Sequence, residues 1–466
     1  MIRSSLKYPS QTQYDSDKFL GMKRISQALL CTVAAARQAH RAGVETRVRN
    51  RLQSVGVRLA PKSTQRKTRR PPPMPGPLNL DARLAAIHAA EYPRFSDAEM
   101  ARRRAALARV MEEAEVDHLL MCGEQRAGTG VAWLTSWPAT VEAYAIVAPG
   151  EPQLMYVEWY NHWPLARKLA CDTEVRWGEH RGIDKAIADL KARGARRVGL
   201  MGALGLSKCR KLEAHFGPLV DLNREYVRLR LVKSREEIDW MRIAAALTDR
   251  AIEGLRREAR LGMTEHELGA ICEAAYHPHG GVTYIHYFLV TPMAAPEYCV
   301  PRQFTSSRKL RPGDVIATEI TAQFFDYPGQ ILRSFTVAAE PTPLFRKLYD
   351  TAEAAFDAVT GVIRHGTRMQ EIIDAARVIE DAGLTVYDDL MHGFGGGYFP
   401  PVLGSKSRPA GPLPQMTLEA GMTCVVQPNV ITPDQKAGVQ VGELVLVTET
   451  GFERLHRAER GLFRIG

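Results

Sequence analysis

Apolar positions recur at helix or strand spacing from about Leu80 to the carboxyl terminus, and the period changes in an ordered way. Ser96 to Ala114 alternates charged and apolar residues at helical spacing. Short apolar runs at Asp117–Met121, Ala143–Val147 and Gln153–Val157 predict strands. Helical stretches near 160–170 and 182–193 then alternate with Arg197–Met201. The alternation predicts a first α/β domain that ends near Asn223. Beyond it, Ser234-Arg-Glu-Glu237 and Thr264-Glu-His-Glu267 are capping boxes that each start a helix, and Thr367-Arg-Met-Gln370 predicts a third. Strand-like runs follow at Thr283–Val290, Asp314–Phe325 and Ile331–Ala338, with a hairpin turn expected at Asp326-Tyr-Pro-Gly329. Thr423–Val430 and Val439–Thr448 close the pattern. No run of ~18 apolar residues occurs, which excludes a membrane span. No period of ~20–50 residues occurs, which excludes a solenoid.

Composition is that of a soluble globular chain, 45% hydrophobic and 24% charged. The net charge of +10 changes meaning once it is divided along the chain. Residues 1–70 hold 16 basic and 3 acidic residues, a net of +13, so the remainder carries −3. The body has no basic field for nucleic acid, and none is expected as a partner. Lys62–Arg70 followed by Pro71-Pro72-Pro73 reads as a linker. The layout is therefore a basic, proline-rich extension over 1–78, an α/β domain over 79–224 and a third region over 225–466. The seven cysteines stand singly, with no CxxC spacing. A disulfide framework and a zinc ribbon are excluded, and a reducing, cytoplasmic location is expected.

The third region resembles a known family. Leu231-Val-Lys-Ser-Arg-Glu-Glu-Ile238, Leu261-Gly-Met-Thr-Glu265 and Leu310-Arg-Pro-Gly-Asp314 are similar to segments of the pita-bread hydrolases. That family contains creatinase, aminopeptidase P, prolidase and methionine aminopeptidase. Tyr327-Pro-Gly-Gln-Ile-Leu-Arg-Ser-Phe335, Met391-His-Gly-Phe-Gly395, Leu418-Glu-Ala-Gly-Met422 and Leu444–Gly451 continue the likeness in the same order. The resemblance covers about 225–460. It implies an α+β pita-bread domain behind an α/β amino-terminal domain of creatinase/aminopeptidase P type.

The resemblance also implies a ligand set, two Asp, one His and two Glu around two divalent metals, and here that set is altered. The first Asp falls on Glu319, the second on Gln330, the His on His392 and the first Glu on Gln427. The last Glu falls on Gly442, with Glu443 beside it. The family's catalytic histidine falls on Arg302, which cannot act as a base near neutral pH. Four expected carboxylates become Glu319 plus a neighbour, too little charge for two M²⁺ ions. No cofactor is expected. A single divalent metal on Glu319, His392 and Glu443 is the alternative.

Catalytic roles are assigned to Glu319 and His392. An inward acid in Thr318-Glu-Ile-Thr321 needs a partner, either Arg302 or Arg333 in a structural ion pair or a substrate group. His392 precedes Gly393-Phe-Gly-Gly-Gly397, where backbone can approach a ligand closely. Arg302, Gln330, Gln427, Gln440, Tyr327 and His286 form the expected substrate-binding set. The three glutamines keep hydrogen-bonding length where the family has Asp, Glu and Arg. With Glu319 facing a cation and Arg302 an anion, a small zwitterionic substrate is expected. The implied activity is hydrolysis of an amide, amidine or guanidine C–N bond without a dinuclear metal. The alternatives are a non-catalytic binding module or a Xaa-Pro aminopeptidase with an atypical metal site. Trp133, Trp137, Trp159 and Trp163 suggest core or interface packing, and a homodimer is expected through the first domain.

Overall fold

The computed structural model describes residues 76–123 and 130–466. The basic extension lies outside these residues up to position 75. Two sheets organise the described chain. The first has six strands, β1 (His118–Gly123), β2 (Ala143–Val147), β3 (Gln153–Val157), β4 (Thr173–Trp177), β5 (Val198–Met201) and β6 (Val220–Asp221), in the order β4-β3-β2-β1-β5-β6. β1, β2 and β3 are buried along their whole length, which is why they read as unbroken apolar runs. Their odd and even residues face different cores. Leu119, Met121, Ala143 and Ala145 pack on one side, and Leu120, Cys122, Tyr144 and Ile146 on the other. The helix Asp97–Glu113 covers the first of these cores and is capped by Ser96, whose hydroxyl accepts from the Glu99 amide.

The second sheet contains β7 (Val282–Pro292), β8 (Asp314–Phe324), β9 (Tyr327–Val337), β11 (Met391–Phe394), β12 (Tyr398–Leu403), β13 (Thr423–Val426) and β15 (Gly442–Val447), in the order β12-β11-β13-β15-β9-β8-β7. β16 (Phe452–Arg454) adds to β15, and β17 (Phe463–Ile465) adds to β9. A separate pair joins β10 (Thr385–Val386) to β14 (Val430–Ile431). The helix Arg235–Glu258 starts at the Ser234/Glu237 capping box and lays Met241, Ala244, Ala245 and Ile252 against the β8–β9 hairpin. The helix Glu265–Tyr276 starts at the Thr264/Glu267 box and packs beside it. The helix Pro343–Val362 serves a second core that includes Met391, Val426 and Val445.

Three sequence expectations change. β9 begins at Tyr327, and Phe324 pairs directly with Tyr327, so the turn is Phe325-Asp326, with Phe325 at φ 52°. Gly329 is a strand residue. A Cβ there would strike the backbone of Ala244 and Ala245, so glycine lets the long helix lie against the hairpin. Thr367 does not cap a helix. Its hydroxyl donates to the Val362 carbonyl (2.7 Å), and the helix begins at Met369 behind Arg368. Finally, His392, expected between a helix and the glycine run Gly393–Gly397, lies within β11 together with Gly393 and Phe394.

Candidate active site

Strand register assembles the site. Residues paired across antiparallel strands point to the same face, and alternate residues share that face. Tyr287 pairs with Glu319, Glu319 with Leu332, Thr321 with Gln330 and Gly442 with Leu332. His392 pairs with Val425, two residues before Gln427. One face therefore collects Tyr287, Glu319, Thr321, Gln330, Gly442, Gln427 and His392.

A chain of hydrogen bonds crosses this face. The Gln330 amide donates to Glu319 Oε1 and to Gln427 Oε1, both at 3.0 Å. The Gln427 amide donates onward to Asp389 Oδ1 at 3.1 Å. The loop that carries Asp389 is held by Asn429. Its Oδ1 accepts from the Tyr387 and Asp388 amides (2.8 and 2.9 Å), and its Nδ2 donates to the Asp389 carbonyl (3.0 Å). Asp388 and Asp389 bring two carboxylates that sequence reasoning missed. The available signal was Tyr387-Asp-Asp-Leu390 immediately upstream of the histidine strand.

Electrostatics follow from burial without counter-charge. Among the described residues, none of Glu319, Asp388 and Asp389 forms an ion pair with Lys or Arg. Burial pushes the Glu319 carboxyl up to about 8, and the negative charges of Asp388 and Asp389 push the same way. Burial and Asp388 raise Asp389 to about 7. Burial lowers the His392 imidazole to about 4. Near neutral pH the site thus holds a neutral imidazole and a carboxyl that keeps its proton. Tyr398 stacks on His392 with ring centroids 4.1 Å apart. Burial raises the phenol of Tyr398, and the charge of Asp389 and the hydrogen bond to it, with Asp388 and Glu319, push the same way.

Gln440 lies in the extension of β15, where its amide N–H donates to Ser334 Oγ (2.9 Å), and its side-chain Oε1 is buried without a hydrogen bond. The other predicted site residues are committed elsewhere. Arg302 donates to Glu265 Oε1 (2.7 Å) and lies over the Tyr298 ring. His286 alternates with Tyr287 and so faces the helices, where its Nε2 meets the Tyr276 hydroxyl at 2.9 Å. Tyr327 donates to Glu237 of the long helix (2.8 Å). Glu443 points opposite to Gly442 and is bound by Arg333 (2.7 Å) and Arg454. Glu319 pairs with neither Arg302 nor Arg333, and its hydrogen-bond partner is Gln330. Among the described residues, no three His, Cys, Asp or Glu side chains form a group that could hold a metal ion.

Comparison with known proteins agrees with this architecture. Residues 239–449 match the model of metallopeptidase family M24. The chain is similar to a Xaa-Pro dipeptidase of Pyrococcus furiosus, 25% identical over 238 residues, which are 50% of this chain and 65% of that protein. It is also similar to a Xaa-Pro aminopeptidase of Escherichia coli, 26% identical over 255 residues, which are 49% of this chain and 56% of that protein. The match thus spans less than two thirds of either relative. Among solved structures, a Xaa-Pro dipeptidase from Bacillus anthracis superposes with a TM-score of 0.69 at 20% identity, covering 78% of this chain and all of that one. An X-Pro aminopeptidase from Thermotoga maritima gives 0.67 at 20% identity, covering 78% and 99%. Behind its α/β amino-terminal domain, the segment 239–449 is therefore similar to metallopeptidase family M24, and the chain has the pita-bread fold of these solved Xaa-Pro peptidases.

Proposed function

We propose that this face is the active site of a hydrolase that cleaves a C–N bond in a small polar substrate without a pair of metal ions. The observation that carries the reading is the hydrogen-bond chain Glu319–Gln330–Gln427–Asp389, whose first three members stand where the family resemblance implies ligands. The donors present do not fit two divalent cations. Glu319 is the one carboxylate at a ligand position, and the Gln330 amide hydrogens point at the oxygens of Glu319 and Gln427 that a metal would use. Gly442 offers no side chain, and a Cβ there would lie 2.5 Å from the Val426 carbonyl oxygen.

The chain's own residues supply acid–base chemistry. His392, neutral above about pH 4, accepts the proton of an attacking water. Glu319, protonated to about pH 8, delivers a proton to the departing nitrogen. Gln330 orients Glu319 through its amide. The names of the relatives favour a second reading, a Xaa-Pro peptidase, which would need a metal that this donor set does not hold well. Assaying amides, amidines, guanidines and Xaa-Pro dipeptides with and without chelator separates the two. Chelator-resistant turnover of a small amide or amidine supports the metal-free reading. Chelator-sensitive turnover of a Xaa-Pro dipeptide refutes it. A homodimer through the first domain belongs to the same reading. It is supported by Trp159 and Tyr160, which are 46% and 56% exposed, and light scattering tests it.

A further inference from the structure

Three acids and several rings stand at or beside this site, with two unsatisfied oxygens on the strands that form it, and the hydrolase reading uses only part of them. Glu319, Asp388 and Asp389 are three acids with no Lys or Arg among the described residues paired to them. Ionising such a buried cluster together is expensive unless a cation enters, so a bound cation would displace the proton that Glu319 otherwise keeps. The unsatisfied oxygens are an independent sign. Thr321 Oγ1 and Gln440 Oε1 are buried and have no hydrogen-bond partner. Thr321 is fully buried, shares the face of Glu319 two residues along β8, and sits opposite Gln330. Gln440 is 3% exposed. Both atoms can accept hydrogen bonds, and such groups are almost always satisfied in folded proteins.

The rings complete the surroundings. Tyr287 stands opposite Glu319 on β7, and burial, with Glu319 next, raises its phenol. Tyr398, 54% exposed, stacks on His392 and stands near all three acids. Tyr284, 41% exposed, lies beside Phe394 at 6.2 Å. Aromatic faces around carboxylates attract an organic cation as well as a metal-like point charge, but planar π-faces favour the organic one. The two amides of Gln330 and Gln427 occupy the space between acids that a metal ion would need.

We propose that the site binds an organic cation bearing N–H donors, an ammonium or amidinium group, between Glu319 and the Asp388–Asp389 loop, with Thr321, Gln440 and Asp389 as hydrogen-bond acceptors and tyrosine rings as walls. The inference rests on this face being the substrate site, and it names the substrate's cationic end. It assigns Asp389 a direct ligand role that the ligand positions of the family do not contain.

Calorimetric titration of the full-length protein tests it with three probes of similar size. Acetamidinium carries charge and N–H donors, acetamide has the shape without the charge, and tetramethylammonium has the charge without donors. Acetamidinium is expected to bind at least about tenfold more tightly than either of the others, with or without EDTA. Glu319→Gln and Asp389→Asn are each expected to weaken it about tenfold or more. Equal binding of acetamide or of tetramethylammonium overturns the proposal, as does no binding of acetamidinium or its loss on adding EDTA. The probe comparison uses the unmodified protein, so it holds if a variant fails to fold. Binding without any hydrolysis would leave this inference standing and sink the enzyme reading. Metal-free hydrolysis of a neutral amide without acetamidinium binding would do the reverse.

Discussion

Replacing Glu319 with glutamine should make the protein more stable in mild alkali and leave it unchanged in mild acid. The carboxyl of Glu319 is pushed from 4.5 up to about 8 in the fold. Below about pH 4.5 both the folded and unfolded chains hold the proton, and the shift costs nothing. As pH rises toward 8, the unfolded chain releases its proton while the folded chain must retain it, so stability falls across that window. At about 1.4 kcal/mol per pH unit the ceiling is about 5 kcal/mol. Glu319 retains some access to solvent, and roughly half of that, about 2 kcal/mol, is the expected loss by about pH 8.5. Glutamine keeps the length and an oxygen for the Gln330 amide but does not titrate. Thermal melts should therefore give melting temperatures that coincide near about pH 5, with the variant higher by ~2–3 °C near about pH 8.5. A variant that follows the wild-type pH dependence, or is destabilised at every pH, would refute the claim that Glu319 is an enclosed acid among like charges.

The remaining predictions concern the frame of the site. Glu443→Gln leaves Arg333, 2% exposed, without its buried counter-charge, and should cost about 3 kcal/mol in urea unfolding; a loss under about 1 kcal/mol would show that the surrounding carbonyls carry the guanidinium alone. Gly442→Ala puts a methyl 2.5 Å from the Val426 oxygen and 2.8 Å from Gln427 Cα, and should destabilise by about 1–3 kcal/mol. For the same reason, combining Gln330→Asp, Gln427→Glu and Gly442→Glu should damage the fold rather than build a metal centre, read as lost melting cooperativity. His392 should remain neutral down to about pH 4 in an NMR titration of its ring. Protonation near 6.5 would remove it as the base.

Most of the frame was readable because its signals are local. Ser234/Glu237 and Thr264/Glu267 satisfy helix-end amides within four residues, and the structure makes both boxes. β2 and β3 fall on Ala143–Val147 and Gln153–Val157 because continuous apolar runs of that length are buried on both faces. Errors arise where a distant element decides the local outcome. Gly329 looks like a turn residue until the helix backbone at Ala244–Ala245 is known to press on it. Thr367 looks like a cap, but its hydroxyl is taken by Val362. In the site, Glu319, Gln330, Gln427 and His392 were placed by the family resemblance, and strand register puts them on one face. His286, Tyr327 and Glu443 share those strands and fall on the other face by one residue of register. Asp389 was missed because its role depends on Gln427, 38 residues away, and on a loop fixed by Asn429.

Elemental analysis of the purified full-length protein, prepared without chelator and with Mn²⁺, Co²⁺ and Zn²⁺ supplied during expression, tests the central claim most directly. One carboxylate and one imidazole at the ligand positions, two amides bonded to each other and a glycine with no room for a side chain predict no stoichiometric pair of divalent ions. Two divalent metals per chain would contradict the account and return the protein to the two-metal chemistry that the family resemblance implies.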